Sequence, residues 1–113
     1  MGSLMKRGVV IVMVTLVALY RHPDDIEAFN RHYEEVHIPL VKTMPGLQGV
    51  RLTRFDHQAD GAHSPYLMMA EMQFLDEESL QEALASEPGR AAGRDLMHFA
   101  KGIFTLLVGH QES

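Results

Sequence analysis

The stretch Met13-Val-Thr-Leu-Val-Ala-Leu-Tyr20 decides the fold class. Its length and its content of Val, Thr, Leu and Tyr are typical of a β-strand. Both alternating sets of side chains are apolar, which predicts a strand that is buried on both faces. The stretch Gly102–Val108 has the same pattern near the other end of the chain. A sheet that contains both strands therefore needs a cover on each face.

The segments between these two strands predict a helix, two strands and two further helices. Asp24 and Glu27 form a start like a capping box for the first helix, and Pro45-Gly46 ends it. Asp76 is the predicted N-cap of the second helix. The predicted elements are a helix over 25–44, strands Val50–Phe55 and Tyr66–Phe74 joined by a polar loop over 56–64, a helix after Asp76, and a helix from Pro88 to Phe99.

This order is βαββαβ, the plan of an α+β, ferredoxin-like domain with a four-stranded antiparallel sheet and its helices on one face. The chain has no further helices to cover the second face of the sheet. A second copy is the simplest cover, so the pattern predicts a homodimer in which two sheets enclose a barrel-like space, a dimeric α+β barrel.

Length and composition set the limits of this interpretation. The chain has 113 residues, which indicates one domain. Ten Lys and Arg against fifteen Asp and Glu give a net charge of −5, which argues against nucleic acid as a partner. The chain contains no Cys, which excludes disulfides, thiol catalysis and Cys-type metal sites.

The first residues resemble a signal peptide only weakly. Lys6 and Arg7 precede an apolar run from Val9 to Tyr20, but no small-residue cleavage site follows. The run is also too short to cross a bilayer, which takes about 20 residues. We expect no membrane partner and a cytoplasmic location. The predicted organisation is an extension or cloning remnant over 1–12, a domain over 13–109 and a tail over 110–113.

Several motifs resemble the EthD family, which is named for ethyl tert-butyl ether degradation. Their order and spacing, more than any one of them, carry the resemblance from Met13 to Gly109. The motifs are LYRHPDD at 19–25, Phe29, YEEVHIPL at 33–40, MPGL at 44–47, SPY at 64–66, Ala70-Glu71, LASEPGR at 84–90, Asp95 and Phe99.

The resemblance implies a ferredoxin-like subunit of the dimeric α+β barrel superfamily. Proteins of the family belong to ether-degradation gene clusters or act on polyketide-like and aromatic compounds. Relatives in the superfamily include cofactor-free monooxygenases, isomerases, decarboxylases, dehydratases and haem-binding enzymes. Fold alone does not select among these activities.

His37 is the first candidate catalytic residue. It lies eleven positions after Ile26, about 20° around an ideal helix, and so falls within the apolar stripe. Pro39 removes a helix hydrogen bond and disfavours helical geometry at Ile38, which loosens the helix at His37. An inward histidine at such a turn can act as a general acid or base. It can equally be a buried structural histidine.

Tyr33 and Tyr66 are candidate assistants. Tyr33 precedes His37 by one turn, where its hydroxyl could bind the imidazole or orient a substrate oxygen. Tyr66 opens the apolar face of its strand and could line the mouth of a cavity. Either tyrosine could instead be a plain core aromatic.

The remaining candidates would bind substrate. Met68, Met72, Phe74 and Phe104 could form apolar walls. His98 could face His37 across the cavity or cap the end of the last helix.

No metal or cofactor is expected. His32 and His37 are five residues apart, about 140° around an ideal helix, so they are not expected to converge. His57, Asp60 and His63 share one loop without a recognised ligand spacing. No nucleotide-binding or serine-hydrolase motif is present.

The function predicted is action on a small apolar, aromatic or cyclic compound by cofactor-free oxygenation, isomerisation or dehydration, with His37 moving a proton. The alternative is a non-enzymatic binding or accessory protein for a degradation pathway. A third interpretation is a dimer with a packed interior and no cavity. The sequence does not decide whether the protein is an enzyme.

Overall fold

A computed structural model of the protein describes residues 5–6 and 9–112. Parts of the predicted extension and the last residue of the predicted tail lie outside these residues. The strands are β1 Met5–Lys6, β2 Val9–Arg21, β3 Gly49–Arg54, β4 Tyr66–Phe74 and β5 Phe104–Glu112. The helices are α1 Ile26–His32, α2 Ile38–Val41, α3 Glu77–Ala85 and α4 Glu87–Phe99, and a π-helical segment, Tyr33–His37, joins α1 to α2.

Four antiparallel strands form the main sheet in the order β5-β2-β4-β3. This order, with the two helical segments crossing on one face, confirms the α+β, ferredoxin-like prediction. The short β1 pairs with the start of β2. The two long apolar strands, β2 and β4, lie side by side at the centre, where both neighbours are strands and every ladder hydrogen bond can form.

The strand limits differ from the prediction at both ends of the chain. Strand β2 begins at Val9 and not at Met13, and β5 runs on to Glu112 and not only to Val108. The extra residues of β5 pair with β2, His110 with Val14 and Glu112 with Ile11 of the added length of that strand. Residues 110–112 are therefore strand and not a free tail, because a neighbouring strand satisfies their backbone groups. The extension over 1–12 and the domain limits stay predictions.

Alternation along the strands separates the two faces of the sheet. On the helix-covered face, Leu16, Ala18 and Tyr20 of β2 are buried beside Ala70 and Met72 of β4. The wholly apolar face predicted for β4 is therefore the core face. The other face carries Val17, Leu19 and Leu107, which no helix of the described chain covers.

Local signals set the helix ends, although the N-cap of α1 is Asp25 and not the predicted Asp24: its carboxylate accepts a hydrogen bond from the backbone N–H of Ala28. The carboxylate of Asp76 accepts a hydrogen bond from the backbone N–H of Ser79 and so caps α3. Gly46, in the turn that follows α2, has φ of 79°, a backbone conformation that glycine adopts without strain. Ser86 accepts from the N–H of Gly89 and donates to the carbonyl of Ala83, which fixes the corner between α3 and α4.

The continuous helix predicted over 25–44 is wrong in two respects: it ends at Val41 and not at residue 44, and it is not regular throughout. Its central turn, Tyr33–His37, is π-helical, and the N–H of Ile38 bonds to the carbonyl of Tyr33, five residues earlier. Pro39 supplies the physical reason: it has no N–H for the carbonyl of Glu35, and its ring would press on that carbonyl in a regular helix. The π-helical turn is the departure from regular helix geometry that Pro39 predicts at His37.

Among the residues that the structure describes, no helix is long and apolar enough to cross a membrane. Cytoplasmic location and the absence of a nucleic-acid partner stay predictions.

Candidate active site

A cavity of about 60 Å³ lies between the sheet and the helices. Strands β2 and β4 form its floor, and the π-helical segment, α2 and α4 form its walls. Its lining is apolar except for Tyr20, Tyr33 and His37, and it includes no Lys, Arg, Asp or Glu of the described chain. Its exposed lining residues are Gly93 of α4 and Leu106 of β5, which mark where the cavity opens. The interior is therefore not fully packed.

His37 lines this cavity and is only 6% exposed. Its Nδ1 lies 3.0 Å from Oδ2 of Asp95, a residue of α4. A carboxylate only accepts hydrogen bonds, so this contact places the proton of the neutral imidazole on Nδ1. The lone pair then remains on Nε2, which is the state that a general base requires.

The electrostatic surroundings keep His37 uncharged near neutral pH. Burial lowers the pKa of His37 below its ordinary value of 6.5, since a charged ring is poorly solvated there. Asp95 opposes this shift by its hydrogen bond and its charge, and a positive charge on His32 adds to it. Asp95 would also stabilise the imidazolium that forms once Nε2 has taken a proton.

Tyr33 lines the same cavity and carries a buried hydroxyl. The residue is 2% exposed, and its hydroxyl has no hydrogen-bond partner among the described residues. Burial raises its pKa to about 12, against an opposing effect of Arg54, so the hydroxyl stays protonated. Of the two predicted roles, binding the imidazole is not seen, because no hydrogen bond joins Tyr33 and His37. The hydroxyl therefore has no partner among the described residues.

His32 also contacts Asp95, which corrects the prediction that His32 and His37 do not converge. Nε2 of His32 lies 2.8 Å from Oδ1 of the same carboxylate. In a π-helical turn, residues five apart lie one above the other, as residues four apart do in an α-helix. The π-helical segment therefore brings both histidines to α4. These three residues are not a metal cluster: no group of three or more possible ligands arranged for a metal exists in the described part of the chain.

The structure brings together only some of the predicted site residues. Met72 lines the cavity with His37 and Tyr33. Met68 and Phe74 are fully buried in the core outside the lining, and Phe104 packs at the edge of that core. Tyr66 is 36% exposed at the start of β4, and His98 is exposed on α4. The roles predicted for these five residues stay predictions.

Sequence reasoning missed Asp95, His32 and Tyr20 as parts of the site. Asp95 and Phe99 lie four residues apart on α4, a spacing that places both on one helix face. Only the fold shows that this face meets His32 and His37. Pro39 was the available signal that the helix geometry departs from regular spacing.

The architecture places the protein in the class of ferredoxin-like α+β subunits, here with a cavity between the sheet and the helices. The EthD domain family matches residues 21–102, which include His32, His37 and Asp95. The chain belongs to the EthD family.

Two relatives cover nearly the whole chain. An uncharacterized 11.0 kDa protein from the thcB-thcC intergenic region of Rhodococcus erythropolis is 31% identical over 101 residues, 89% of this chain and 97% of that protein. The crystal structure of an EthD family protein from Bacillus halodurans C-125 is 41% identical with a TM-score of 0.85, over 88% of this chain and 99% of the other.

More distant structures share the fold alone. A hydroxynitrile lyase from Passiflora edulis has a TM-score of 0.67 at 11% identity, over 88% of this chain and 94% of that one. A dimeric protein of unknown function with a ferredoxin-like fold from Bacteroides fragilis has a TM-score of 0.61 at 12% identity, over 88% and 96% of the two chains.

Proposed function

We propose that the protein is a small-molecule enzyme in which His37 takes a proton from an uncharged, oxygen-bearing compound in the cavity. The observation that carries this proposal is the pairing of His37 Nδ1 with Asp95 at the wall of an apolar cavity. The pairing leaves Nε2 as a base, and burial keeps it unprotonated near neutral pH.

The lining supports an uncharged substrate. Among the described residues no cationic side chain lines the cavity, so a carboxylate or phosphate would be buried without a counter-charge, at high cost. The free hydroxyl of Tyr33 favours a carbonyl or hydroxyl oxygen, which it would bind by donating a hydrogen bond.

Cavity volume limits the size of the compound. A cavity that binds benzene in another protein measures about 150 Å³, more than twice the roughly 60 Å³ found in this chain. A ring therefore fits only if Met44 and Met72 change rotamer, which their unbranched side chains allow, or if the ligand extends through the opening at Gly93.

The proposed step is proton abstraction from carbon next to a carbonyl. Nε2 of His37 accepts the proton, the electron pair of the C–H bond forms a C=C bond, the π pair of the carbonyl moves to the oxygen, and Tyr33 donates a hydrogen bond to the resulting enolate. Return of the proton to another carbon of the enolate gives isomerisation. Where a hydroxyl group lies on the β-carbon, its C–O bond breaks as the enolate re-forms the carbonyl, and the proton on His37 passes to the leaving oxygen to give water, which is dehydration. Attack of the carbanion on molecular oxygen, which would have to be supplied, gives cofactor-free oxygenation.

Hydrogen–deuterium exchange tests this step without knowledge of the natural substrate. Small ketones and 1,3-diketones are incubated with the protein in D₂O, and the loss of the acidic C–H signal is followed by ¹H NMR. We expect wild-type protein to accelerate exchange in at least one compound and His37→Gln to lose about 10²- to 10⁴-fold of that rate.

The control is His57→Asn, since His57 is an exposed loop residue far from the cavity lining. It is expected to keep the wild-type rate. Binding of a compound without any exchange by wild-type protein would contradict proton transfer and favour the non-enzymatic binding protein.

We also propose that two copies associate through the uncovered face of the sheet. One row across this face is Leu107, Val17, Glu71 and Arg51, and Leu107 is 52% exposed. Leu19 and Met69 form the centre of the next row. The apolar half of this face is the surface that a second copy would bury, and the dimeric protein from Bacteroides fragilis shows the same fold in a dimer.

A further inference from the structure

Asp95 binds two histidines at once, one with each carboxylate oxygen. Oδ2 lies 3.0 Å from Nδ1 of His37, and Oδ1 lies 2.8 Å from Nε2 of His32. Both ring nitrogens must donate, because the carboxylate only accepts. The carboxylate plane is therefore fixed from two sides, one facing the cavity and the other facing the protein surface.

Phe99 provides a second contact between α4 and the same two rings. It follows Asp95 by four residues, and its ring centre lies 4.8 Å from those of both His32 and His37. His32 stacks on it with an angle of 28° between the planes. The side chain of His32 is 27% exposed, yet two residues of α4 hold it in place. The position of the imidazole of His32 is therefore fixed relative to α4.

We propose that His32 is a positioning residue: by holding Oδ1 of Asp95 it keeps Oδ2 against Nδ1 of His37, so that Nε2 of His37 carries the free lone pair at the cavity. The terminal torsion of an aspartate has broad minima, so a carboxylate held at one oxygen can turn away from its partner. The catalytic meaning of this inference rests on the proposed function, whereas the effect on His37 itself does not.

The titratable and charged groups near His37 come from every element packed around it. Asp95 faces it from α4, Tyr20 from β2, and Tyr33 and His32 from its own helical segment. Arg54 of β3 acts on Tyr33, and His98 lies with its ring centre 6.2 Å from that of His32. Of these groups, Asp95 raises the pKa of His37 and a charged His32 lowers it.

Two substitutions of His32 show whether the hydrogen bond that it donates to Asp95, and not only its bulk, positions the carboxylate. His32→Gln keeps an N–H donor that can reach Asp95 but cannot become charged. His32→Leu keeps bulk and removes the donor. The control is His110→Gln, which makes the same substitution in another histidine–carboxylate pair, His110 with Glu112 at 2.9 Å on the surface of β5.

The main readout is the tautomer of His37, measured from the ¹⁵N chemical shifts of its ring nitrogens, together with its NMR titration. We expect the proton on Nδ1 in wild type, His32→Gln and His110→Gln. In His32→Leu we expect the proton to spread over both nitrogens. The titration midpoint of His37 should rise in His32→Gln, because the repulsion from a charged His32 is gone while Asp95 stays in place.

The exchange rate is the second readout. We expect His32→Gln to stay close to wild type and His32→Leu to fall by about tenfold, the order found where an outer partner orients a histidine through a carboxylate. If His32→Leu does not give a folded amide spectrum, His32→Asn, which is one methylene shorter than Gln, supplies the same comparison.

The two proposals fail in different ways. An unchanged tautomer and titration of His37 in His32→Leu would overturn the positioning role, even if His37→Gln abolishes exchange. A changed tautomer with no exchange by wild-type protein would support the positioning role and overturn the proposed function.

Discussion

At the scale of single residues, the hydroxyl of Tyr33 is the feature that stability alone does not explain. It is buried without a hydrogen-bond partner among the described residues. A buried hydroxyl of this kind costs about 1–3 kcal/mol. Tyr33, unlike Thr15, lines the cavity, where a ligand could complete the hydrogen bond and offset this cost.

Tyr33→Phe should therefore stabilise the protein and weaken ligand binding. We expect a gain of about 1 kcal/mol, which raises Tm by about 4 °C or more for a domain of this size. Affinity for a ketone ligand should fall by about fivefold, since one hydrogen bond is worth about 1 kcal/mol. Thermal unfolding and ligand titration by NMR measure the two effects.

The matched control is Thr15→Val. Thr15 carries the other buried hydroxyl without a partner in the described chain, but it lies on the opposite face of the sheet from the cavity. Its removal should stabilise the protein and leave ligand affinity unchanged. A Tyr33→Phe variant that binds ketones as well as wild type would show that the hydroxyl does not face the ligand.

At the scale of elements, the junction of α3 and α4 holds the wall that carries Asp95. Gly89, in the first turn of α4, lies against the backbone of Ala83 and Leu84. A Cβ added there would collide with the carbonyl oxygen of Ala83, which belongs to backbone and cannot rotate away. The close approach of the two helices therefore requires glycine at this position.

Gly89→Ala should destabilise the protein by about 3 kcal/mol or more, as overpacking against fixed atoms does. Gly93→Ala, one turn later in the same helix, is the control, because a Cβ there meets nothing within 4 Å. It should stabilise the protein by up to about 1 kcal/mol through helix propensity. Denaturant unfolding measures both, and equal effects of the two substitutions would contradict this packing account.

The sequence alone predicts some of the helices, strands and contacts, but not all of them. The order of helices and strands, the limits of β4 and the Asp76 cap follow from period, turn residues and capping. The convergence of His32 and His37 does not, because it depends on a π-helical turn whose cause, Pro39, lies outside the turn. The last strand was predicted four residues too short at its end, because Gly109 and the polar residues after it resemble a tail. The pairing of these residues with β2 is a long-range contact that no local pattern reveals.

At the scale of the whole molecule, the uncovered face of the sheet is the proposed contact surface between two copies. Leu107 lies at its apolar end, beside Val17 in the neighbouring strand. Leu107→Lys should place a charge in the contact between two copies and shift the protein to a monomer. Size-exclusion chromatography with light scattering measures this shift.

Leu75→Lys is the control for that substitution, because Leu75 is as exposed as Leu107 but follows β4 in a turn. It should leave the assembly unchanged. A wild-type protein that is monomeric at micromolar concentration would contradict the proposed dimer and leave the apolar pattern of β2 and β5 without an explanation.

The pH dependence of deuterium exchange in a bound ketone tests most directly the central claim that His37 acts as the base. The pKa of His37 is lowered, so the rate should fall as pH drops through a midpoint below 6.5 and stay level above it. His37→Gln should lack this step. A step of the same midpoint and size in His37→Gln would show that another group takes the proton and would contradict the account.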